Sequence, residues 1–323
     1  MNAVVIGLGS MGKRRIRLMK QLPAVGNIYG VDFSEERRMQ ASEQFGLETF
    51  ASLEDVLSTH AVNCAFVCTS PVSHGKIINN CLKNGLNVFT EINLINDYYQ
   101  ENVSLAKENN NVLFLSSTFL YREEIKYIFS QVHDYANALN YSYHVGQYLP
   151  DWHPWESYKQ FFVGDKRTNG CREIMAIELP WIVQVFGPIK SITSLHDRSS
   201  SLEIDYDDNY VIQIEHENGH KGTFHVDVVC PKAVRNLEIY GVHFYISWNG
   251  TPEGLQKFEQ GKMKKIDLYT EYEHLQGYQA TIVENAYQEE IATFFSAVEK
   301  NENTAYGFED DEKVLSWIDK MEA

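Results

Sequence analysis

The sequence has few cysteines, and they form no metal-binding or disulfide pattern. The five are Cys64, Cys68, Cys81, Cys171 and Cys230. Structural zinc sites usually show C-x-x-C pairs, and disulfide frameworks usually show an even count. The sequence therefore predicts neither a metal centre nor a disulfide scaffold, and most of the cysteines are expected to be small core residues.

Long apolar runs and an excess of positive charge are also missing. No stretch reaches the roughly 18 apolar residues that indicate a membrane span. No secretory pattern precedes the first apolar segment, so we expect a cytoplasmic protein. The formal net charge of −16 argues against non-specific binding to nucleic acid. Neither a membrane nor a nucleic acid is a predicted partner.

The sequence does contain a glycine turn placed between an apolar run and a helical stretch. The turn occupies residues 7–12 and reads G-L-G-S-M-G. Strand, G-x-G-x-x-G and helix in this order are typical of dinucleotide binding. Gly7 allows the tight turn, Gly9 lets the backbone approach a pyrophosphate, and Gly12 lets helix and strand pack closely. The predicted cofactor contacts in this turn are Gly7, Gly9, Ser10, Met11 and Gly12.

An acidic residue about 20 positions further on indicates which cofactor is bound. Asp32 follows the apolar segment 27–31. Its carboxylate can accept hydrogen bonds from both ribose hydroxyls of NAD and would repel the 2′-phosphate of NADP. Arg37 and Arg38 follow closely and could accommodate NADP. The sequence predicts NAD, with NADP less favoured; the alternative is an ordinary glycine turn with a chance carboxylate.

Strand and helix patterns alternate as far as residue 121. Strand patterns lie at 63–68, 87–90 and 112–116, and helical patterns lie at 34–45, 51–59, 72–84 and 98–108. This alternation predicts an α/β fold with a Rossmann-type, doubly wound parallel sheet in a domain of residues 1–121. Ligands of such sheets bind at the carboxyl ends of the strands. The further cofactor contacts predicted there are Thr69, Ser70, Pro71, His74 and Glu91.

From residue 122 onwards, longer segments alternate between apolar and polar residues. They lie at 141–145, 190–197, 209–216, 221–229 and 236–248, with helical patterns at 122–135, 170–186, 281–299 and 309–322. These patterns predict a second α/β domain, 122–323, with a large, mostly antiparallel open sheet. Tyr210, Ile212 and Ile214 would share one face of this sheet. Because such an apolar face needs covering, we expect a homodimer or homotetramer joined through it.

Together these stretches resemble the Gfo/Idh/MocA family of glucose–fructose oxidoreductases, inositol dehydrogenases and rhizopine-catabolism proteins. The resemblance covers nearly the whole chain. It rests on the glycine turn, on Thr69-Ser70-Pro71 with His74, on Glu91, and on Asn285, Tyr287 and Glu290. It implies hydride transfer between a nicotinamide cofactor and a carbon of a sugar, often a nucleotide-linked sugar. It also implies a Rossmann domain followed by an open-sheet domain that commonly forms the oligomer interface.

Segment 150–155, P-D-W-H-P-W, resembles family members from bacterial surface-polysaccharide pathways. Two proton-transfer groups of the family are absent from the chain. The Glu-Lys-Pro signature reads Glu91-Ile92-Asn93, and Ile177 stands where a later Asp-x-x-x-His motif has its histidine. Either another group carries out the acid–base chemistry, or the protein binds a dinucleotide without the family reaction. A third possibility is a lyase or epimerase that keeps its NAD bound and recycles it.

Candidates for the missing chemistry lie in helix 170–186 and in the tryptophan-rich loop before it. We predict Glu173 as the acid–base group, with His153, whose imidazole suits proton transfer, and Glu91 as further candidates. The predicted substrate-binding residues are Arg172, whose planar fork suits a carboxylate or phosphate, and Trp152, Tyr158 and Glu178. The structural alternatives are an ion pair at the helix start and a loop histidine beside two core tryptophans, Trp152 and Trp155.

Overall fold

The chain folds into two compact units. A computed structural model describes residues 1–153, 156–272, 281–302 and 304–323. The first unit comprises Met1–Ser117 and Tyr287–Lys313, and the second comprises Thr118–Ala286 and Val314–Ala323. The predicted domains, 1–121 and 122–323, differ from these units chiefly because they assign Tyr287–Lys313 to the second domain. Among the described residues, no helix is both long and apolar enough to cross a bilayer.

The first unit contains the predicted doubly wound parallel sheet. Its strands are β1 (Ala3–Ile6), β2 (Ile28–Val31), β3 (Glu48–Phe50), β4 (Cys64–Val67), β5 (Asn87–Thr90) and β6 (Leu113–Leu115). They pair in parallel in the order β3-β2-β1-β4-β5-β6. This order reverses direction between β1 and β4, which is where Rossmann folds bind dinucleotides. The fold-class prediction is confirmed for this unit.

Helices connect these strands, and capping residues account for where several begin and end. They are α1 (Ser10–Met19), α2 (Glu35–Phe45), α3 (Leu53–Thr59), α4 (Pro71–Lys83) and α5 (Tyr99–Asn109). At the start of α2, Ser34 Oγ accepts a hydrogen bond from the backbone N–H of Arg37. Gly46 ends the same helix in the left-handed conformation, with φ 63°. Proline suits the first position of α4 because that position needs no N–H donor.

The second unit is built on an eight-stranded, mostly antiparallel sheet. Its strands are β7 (Asn140–Gly146), β8 (Ile189–Asp197), β9 (Asn209–His216), β10 (Lys221–Asp227), β11 (Val234–Gly241), β12 (Phe244–Trp248), β13 (Gln256–Glu259) and β14 (Lys262–Lys265). The order is β14-β13-β12-β11-β7-β10-β9-β8. Only the pair β7 and β10, near the middle, is parallel among the described pairings. The predicted open sheet is confirmed.

One helix of the second unit covers one face of this sheet. The remaining helices are α6 (Glu123–His133), α7 (Gly170–Phe186), α8 (Glu284–Lys300) and α9 (Phe308–Met321). Helix α7 packs against β9 and β10, and its Trp181 lies edge-on to Tyr143 of β7 at 5.3 Å between ring centroids. The face shared by Tyr210, Ile212 and Ile214 is only 0–2% exposed. The chain therefore covers this face itself, and the reason given for an oligomer is wrong; the oligomer stays a prediction.

A late segment of the chain completes the core of the first unit. Phe294, in α8, packs edge-on against the aromatic rings of three neighbouring strands. Its ring centroid lies 5.3 Å from that of Phe66, 5.7 Å from that of Phe89 and 5.8 Å from that of Phe114. All four rings are buried. The parallel sheet thus buries its apolar side chains partly against residues more than 170 positions later in the sequence.

Candidate functional site

The glycine turn has the geometry that an anionic ligand requires. Gly7 has φ +95°, and a Cβ placed on it would lie 2.6 Å from the Cys68 carbonyl oxygen. A Cβ on Gly12 would lie 1.9 Å from the Gly7 carbonyl oxygen, whereas one on Gly9 would meet no described atom within 4 Å. Packing therefore requires the first and last glycines, and the middle glycine leaves open space at the start of α1. This open cradle fits a pyrophosphate.

The first turn of α1 leaves its backbone donors available. Gly9 is the N-cap residue, and no side chain among the described residues caps the helix. The first N–H groups of a helix lack partners within the helix and attract anions. Ser10 is exposed in this turn and Met11 is half-buried. Met11 Sδ lies 3.3 Å from Arg14 Nη1, which donates to it.

Asp32 connects the end of β2 to the glycine turn. Its side chain is buried, with Oδ2 accepting from the Leu8 N–H at 2.8 Å and Oδ1 accepting from the Ser34 N–H at 2.9 Å. Arg37 Nη1 lies 3.9 Å from Asp32 Oδ2, but the Arg37 side chain is half exposed, so solvent screens this pair. The carboxylate is held at the carboxyl end of β2, which is the position expected for a ribose-binding acid.

The segment after β4 is fixed by a buried histidine. Thr69 Oγ1 lies 2.8 Å from Ser73 Oγ, and Ser70 precedes Pro71 at the start of α4. His74 Nε2 lies 2.9 Å from the Thr69 carbonyl oxygen, and Nδ1 lies 2.8 Å from the side-chain amide of Asn93. Burial lowers the pKa of His74, which keeps the ring neutral at pH 7. In that state Nε2–H donates to the Thr69 carbonyl oxygen, so Nδ1 can only accept. The atom of Asn93 at 2.8 Å is placed as Oδ1, and a flip of the amide would bring its NH₂ group there as the donor.

The sequence predictions missed the contribution of Asn93. It stands at the position of the proline in the family's Glu-Lys-Pro signature, and it joins the segment after β5 to His74. The sequence offered one indication of this contact, namely a polar residue where the family signature has a proline. The structure also shows that Ile92 is half-buried.

Glu91 belongs to a buried charge network that the sequence predictions also missed. Arg15 is fully buried, and it donates to Glu91 through Nε at 2.6 Å and through Nη2 at 3.0 Å. Arg15 Nη1 lies 2.9 Å from Glu290 Oε2. Glu290 Oε1 also accepts from the Ser117 N–H at 2.7 Å. We call Arg15, Glu91 and Glu290 the buried triad. Because both Glu91 oxygens are engaged by Arg15, this geometry favours a positioning role over the predicted catalytic one.

Glu173 lies in the first turn of α7. The helix begins where Asn169 Oδ1 accepts from the Arg172 N–H at 2.7 Å. Glu173 Oε2 is shut off from solvent and has no hydrogen-bond partner among the described residues. Burial raises the pKa of Glu173 to about 8. A helix N-terminus normally favours an ionised carboxylate, so desolvation dominates here and keeps the carboxyl group largely protonated at neutral pH.

The two predicted substrate contacts near Glu173 are engaged within their own unit. Arg172 Nη2 lies 2.6 Å from Asp319 Oδ1, and Arg172 also pairs with Glu322. This favours the alternative of a structural ion pair. Glu178, which is 0% exposed, is engaged in the same way, and the substrate-binding roles of Arg172 and Glu178 stay predictions. Its donors are Arg235 through two nitrogens at 2.7 and 2.9 Å, Tyr143 Oη at 2.7 Å and Trp181 Nε1 at 2.6 Å.

The predicted residues of the tryptophan-rich loop contact their neighbours in that region. Trp152 Nε1 donates to the Gln147 carbonyl oxygen at 3.1 Å. His153 Nδ1 lies 2.7 Å from Glu156 Oε1, and its ring stacks on Phe161 at 4.6 Å. Tyr158 Oη accepts from the Glu203 N–H at 3.2 Å. The second tryptophan of the loop, Trp155, lies outside the described residues. Roles of Trp152, His153 and Tyr158 in binding or catalysis stay predictions.

Comparison with known families identifies the first unit. Residues 1–117 match the family model described as "Oxidoreductase family, NAD-binding Rossmann fold", which is the Gfo/Idh/MocA family. These residues form a Gfo/Idh/MocA NAD-binding domain. The predicted family, the NAD cofactor and the oxidoreductase class are confirmed at this level. No curated protein sequence matches the chain.

Solved structures resemble the chain over its whole length. Levoglucosan dehydrogenase in complex with NADH and L-sorbose has a TM-score of 0.80 at 14% identity, covering 100% of this chain and 95% of that chain. GenD2 from gentamicin A biosynthesis, in complex with NAD, has a TM-score of 0.75 at 19% identity, covering 99% and 92%. UDP-N-acetylglucosamine 3-dehydrogenase GnnA from Acidithiobacillus ferrooxidans has a TM-score of 0.76 at 13% identity, covering 99% and 96%. At these identities the likeness shows that both units of the chain share the fold of these enzymes.

Proposed function

We propose that the whole chain is a Gfo/Idh/MocA-type, NAD-dependent oxidoreductase that acts on a carbon of a sugar or nucleotide-linked sugar, with Glu173 as its acid–base group. The observation that carries the proposal is the state of the Glu173 carboxyl group. Oε2 is desolvated and has no hydrogen-bond partner among the described residues. Burying a polar group without a partner destabilises a fold. Such groups with perturbed pKa values cluster at functional sites.

The chain's own residues have separable tasks in this proposal. When bound, NAD⁺ would accept the hydride in the oxidative direction, and NADH would donate it in the reductive direction. The backbone around Gly9 and the first turn of α1 would hold the pyrophosphate, and Asp32 would hold the ribose hydroxyls.

Glu173 holds the proton. In the reductive direction its O–H donates a proton to the oxygen of a ketone, which becomes the hydroxyl of the product. In the oxidative direction its carboxylate takes the hydroxyl proton. The protonated state at neutral pH favours the reductive role.

The substrate class rests on resemblance. Segment 150–155 resembles members of surface-polysaccharide pathways, and the structural neighbours include a UDP-N-acetylglucosamine 3-dehydrogenase and a levoglucosan dehydrogenase. These similarities support a nucleotide-linked or acidic sugar, used in surface-polysaccharide synthesis.

The test is a screen of UDP-linked and other nucleotide-linked sugars in which NADH absorbance is followed in both directions. Calorimetric titration with NADH and NADPH accompanies the screen. We expect turnover of at least one sugar nucleotide and tighter binding of NADH. Tighter binding of NADPH would contradict the cofactor assignment. No turnover in either direction with NADH bound would contradict the proposed reaction.

Two other functions are alternatives, and the first of them is motivated by Ile92 and Ile177, which stand where the resemblance places the family's proton-transfer residues. One is a non-catalytic dinucleotide-binding or regulatory protein. In that case no sugar is turned over, and Ile92→Lys creates activity where none existed. The other is a lyase or epimerase that recycles its cofactor. Tightly co-purified NAD, together with sugar conversion but no net release of NADH, would identify it.

A further inference from the structure

Three side chains with metal-binding atoms converge in the second unit, near the carboxyl ends of β7 and β10. His144 lies on β7, Asp227 ends β10, and Cys230 follows it by three residues. One ligand atom from each of them lies within 4.8 Å of the other two. His144 Nε2 is 2.7 Å from Asp227 Oδ2. Cys230 is half-buried, whereas the other four cysteines are buried.

The surrounding backbone holds the Asp227 carboxylate in place. Asp227 Oδ1 accepts from the Cys230 N–H at 2.7 Å and from the Val229 N–H at 3.0 Å. Gly146 pairs with Asp227 across the two strands. A Cβ on Gly146 would lie 2.4 Å from Asp227 Oδ2, so glycine makes room for the carboxylate. Oδ2 therefore faces His144 while Oδ1 is fixed by the backbone. Hydrogen bonds of this kind orient the ligands of metal sites.

We propose that His144, Asp227 and Cys230 bind a zinc ion. Imidazole nitrogen, carboxylate oxygen and thiolate sulfur are the three donor types that Zn²⁺ takes in proteins. The thiolate disfavours Mg²⁺ and Ca²⁺, which prefer oxygen ligands. Ligand atoms placed about 2.0–2.3 Å from a tetrahedral ion lie about 3–4 Å apart. The 2.7 Å contact of His144 Nε2 with Asp227 Oδ2 would have to widen, and since all three atoms lie within 4.8 Å of one another, shifts of roughly 1 Å would bring them to this spacing.

Three protein ligands would leave one tetrahedral position for water or an outside ligand, as in zinc sites that are not purely structural. The ion would also cross-link the ends of the parallel strands β7 and β10 to the segment that follows β10. The sequence predicted no such site because His144 lies 83 residues from Asp227. The pattern D-x-x-C alone is not a recognised zinc motif.

The experiment uses the full chain with any affinity tag removed. The protein is equilibrated with Zn²⁺, freed of excess metal, and assayed for zinc by elemental analysis. We expect about one zinc per chain. Cys230→Ser and His144→Ala should each weaken zinc binding by more than about 10-fold, the smallest loss seen when even a supporting residue of a metal site is removed. Asp227 is left intact because its carboxylate also holds the backbone.

His196→Ala is the matched control. His196 Nδ1 lies 2.6 Å from Asp207 Oδ2, a histidine–carboxylate pair like that of His144, but no third ligand joins it among the described residues. This variant should retain zinc. Circular dichroism spectra and urea unfolding transitions like those of the wild type would show that all three variants are folded. Co²⁺ in place of Zn²⁺ should give a thiolate-to-cobalt charge-transfer band in the near ultraviolet that Cys230→Ser lacks.

Two results would overturn the proposal. One is a wild-type protein that retains no more zinc than the folded Cys230→Ser variant. The other is a cobalt spectrum without the thiolate band. In either case His144 and Asp227 form an ordinary ion pair. Because none of these measurements uses turnover, their outcome is independent of the proposed oxidoreductase activity.

Discussion

At the scale of single residues, Glu173 links the fold to the proposed chemistry. General acid–base groups typically contribute 10²–10⁴-fold in rate. Glu173→Gln should therefore lower turnover by about 10²–10⁴-fold and leave NADH affinity nearly unchanged. Because burial raises the pKa of Glu173 to about 8, the wild-type reduction rate should fall, and the oxidation rate should rise, as the pH increases through about 8. Steady-state kinetics across pH measure both effects.

The matched control for this kinetic prediction is Glu217→Gln, the same substitution at an exposed position outside the strands. It should keep full turnover. If Glu173→Gln also keeps full turnover and His153→Ala abolishes it, the acid–base role belongs to His153, whose ring pairs with Glu156.

The same carboxyl group predicts a pH-dependent change in stability. Below about pH 4.5, Glu173 is protonated in both the folded and unfolded states. Between pH 4.5 and about 8 the unfolded state releases its proton and the folded state keeps it, so the folded state loses stability as the pH rises. The wild-type free energy of unfolding should fall by about 1.4 kcal/mol per pH unit over that interval. Glu173→Gln lacks the titrating group, so its advantage over wild type in free energy of unfolding should be larger at pH 9 than at pH 4 by on the order of 2–5 kcal/mol. Urea denaturation at the two pH values measures this, and an equal difference at both would contradict it.

At the scale of elements, the buried triad ties α1 to the end of β5 and to α8. Removing one partner from a buried ion pair typically costs 3–5 kcal/mol because the remaining charges are left unpaired. Arg15→Ala would leave Glu91 and Glu290 without their shared cation. We therefore expect it to lower the free energy of unfolding by about 3–5 kcal/mol, as measured by chemical denaturation.

Lys107→Ala provides the comparison for Arg15→Ala within the same unit. Lys107 Nζ lies 2.7 Å from Glu309 Oε1, but both side chains are about 70% exposed. Because solvent screens an exposed pair, this variant should be nearly as stable as wild type. A similar loss of stability in the two variants would show that burial does not set the value of the triad.

The elements that the sequence predicted well are those with local signals. The helical patterns at 34–45 and 72–84 differ from α2 and α4 by no more than one residue at either end, because Ser34 marks the start of the first and Gly85 follows the second. The alternation over 236–248 predicts one continuous segment, whereas the structure has two strands there, β11 and β12. Their turn contains His243 at φ 59°, and a left-handed histidine gives no glycine signal for a turn.

Features that depend on distant contacts could not be predicted from one sequence. The parallel pairing of β7 with β10, the packing of α7 over Tyr210, and the contact of Arg15 with Glu290 join residues far apart in the chain. Local propensity and periodicity carry no information on these pairings. Of the candidate site residues, those named from spacing or motif position, such as Gly9 and Asp32, lie where the patterns indicated.

At the scale of the whole molecule, the predicted oligomer would have to form through the sheet face opposite α7, because the chain itself covers the other face. Leu195 and Tyr240 lie on that face and are 71% and 43% exposed. If the predicted homodimer or homotetramer forms through it, the double change Leu195→Glu and Tyr240→Glu should reduce the mass to that of one 37.2 kDa chain. Light scattering at micromolar protein measures this. Met39→Glu, at an exposed apolar residue of α2, is the control and should keep the wild-type mass; a monomeric wild type would refute the oligomer.

The aromatic packing of Phe294 has a consequence for the order of events on the ribosome. The parallel sheet emerges first during synthesis, and N-terminal domains generally fold first. Here, however, the rings of Phe66, Phe89 and Phe114 have their partner in α8. Part of the core of the dinucleotide-binding unit therefore stays uncovered until the open sheet and then α8 have been translated. A nascent chain stalled at residue 121 should accordingly be cut by protease at sites that the finished protein shields.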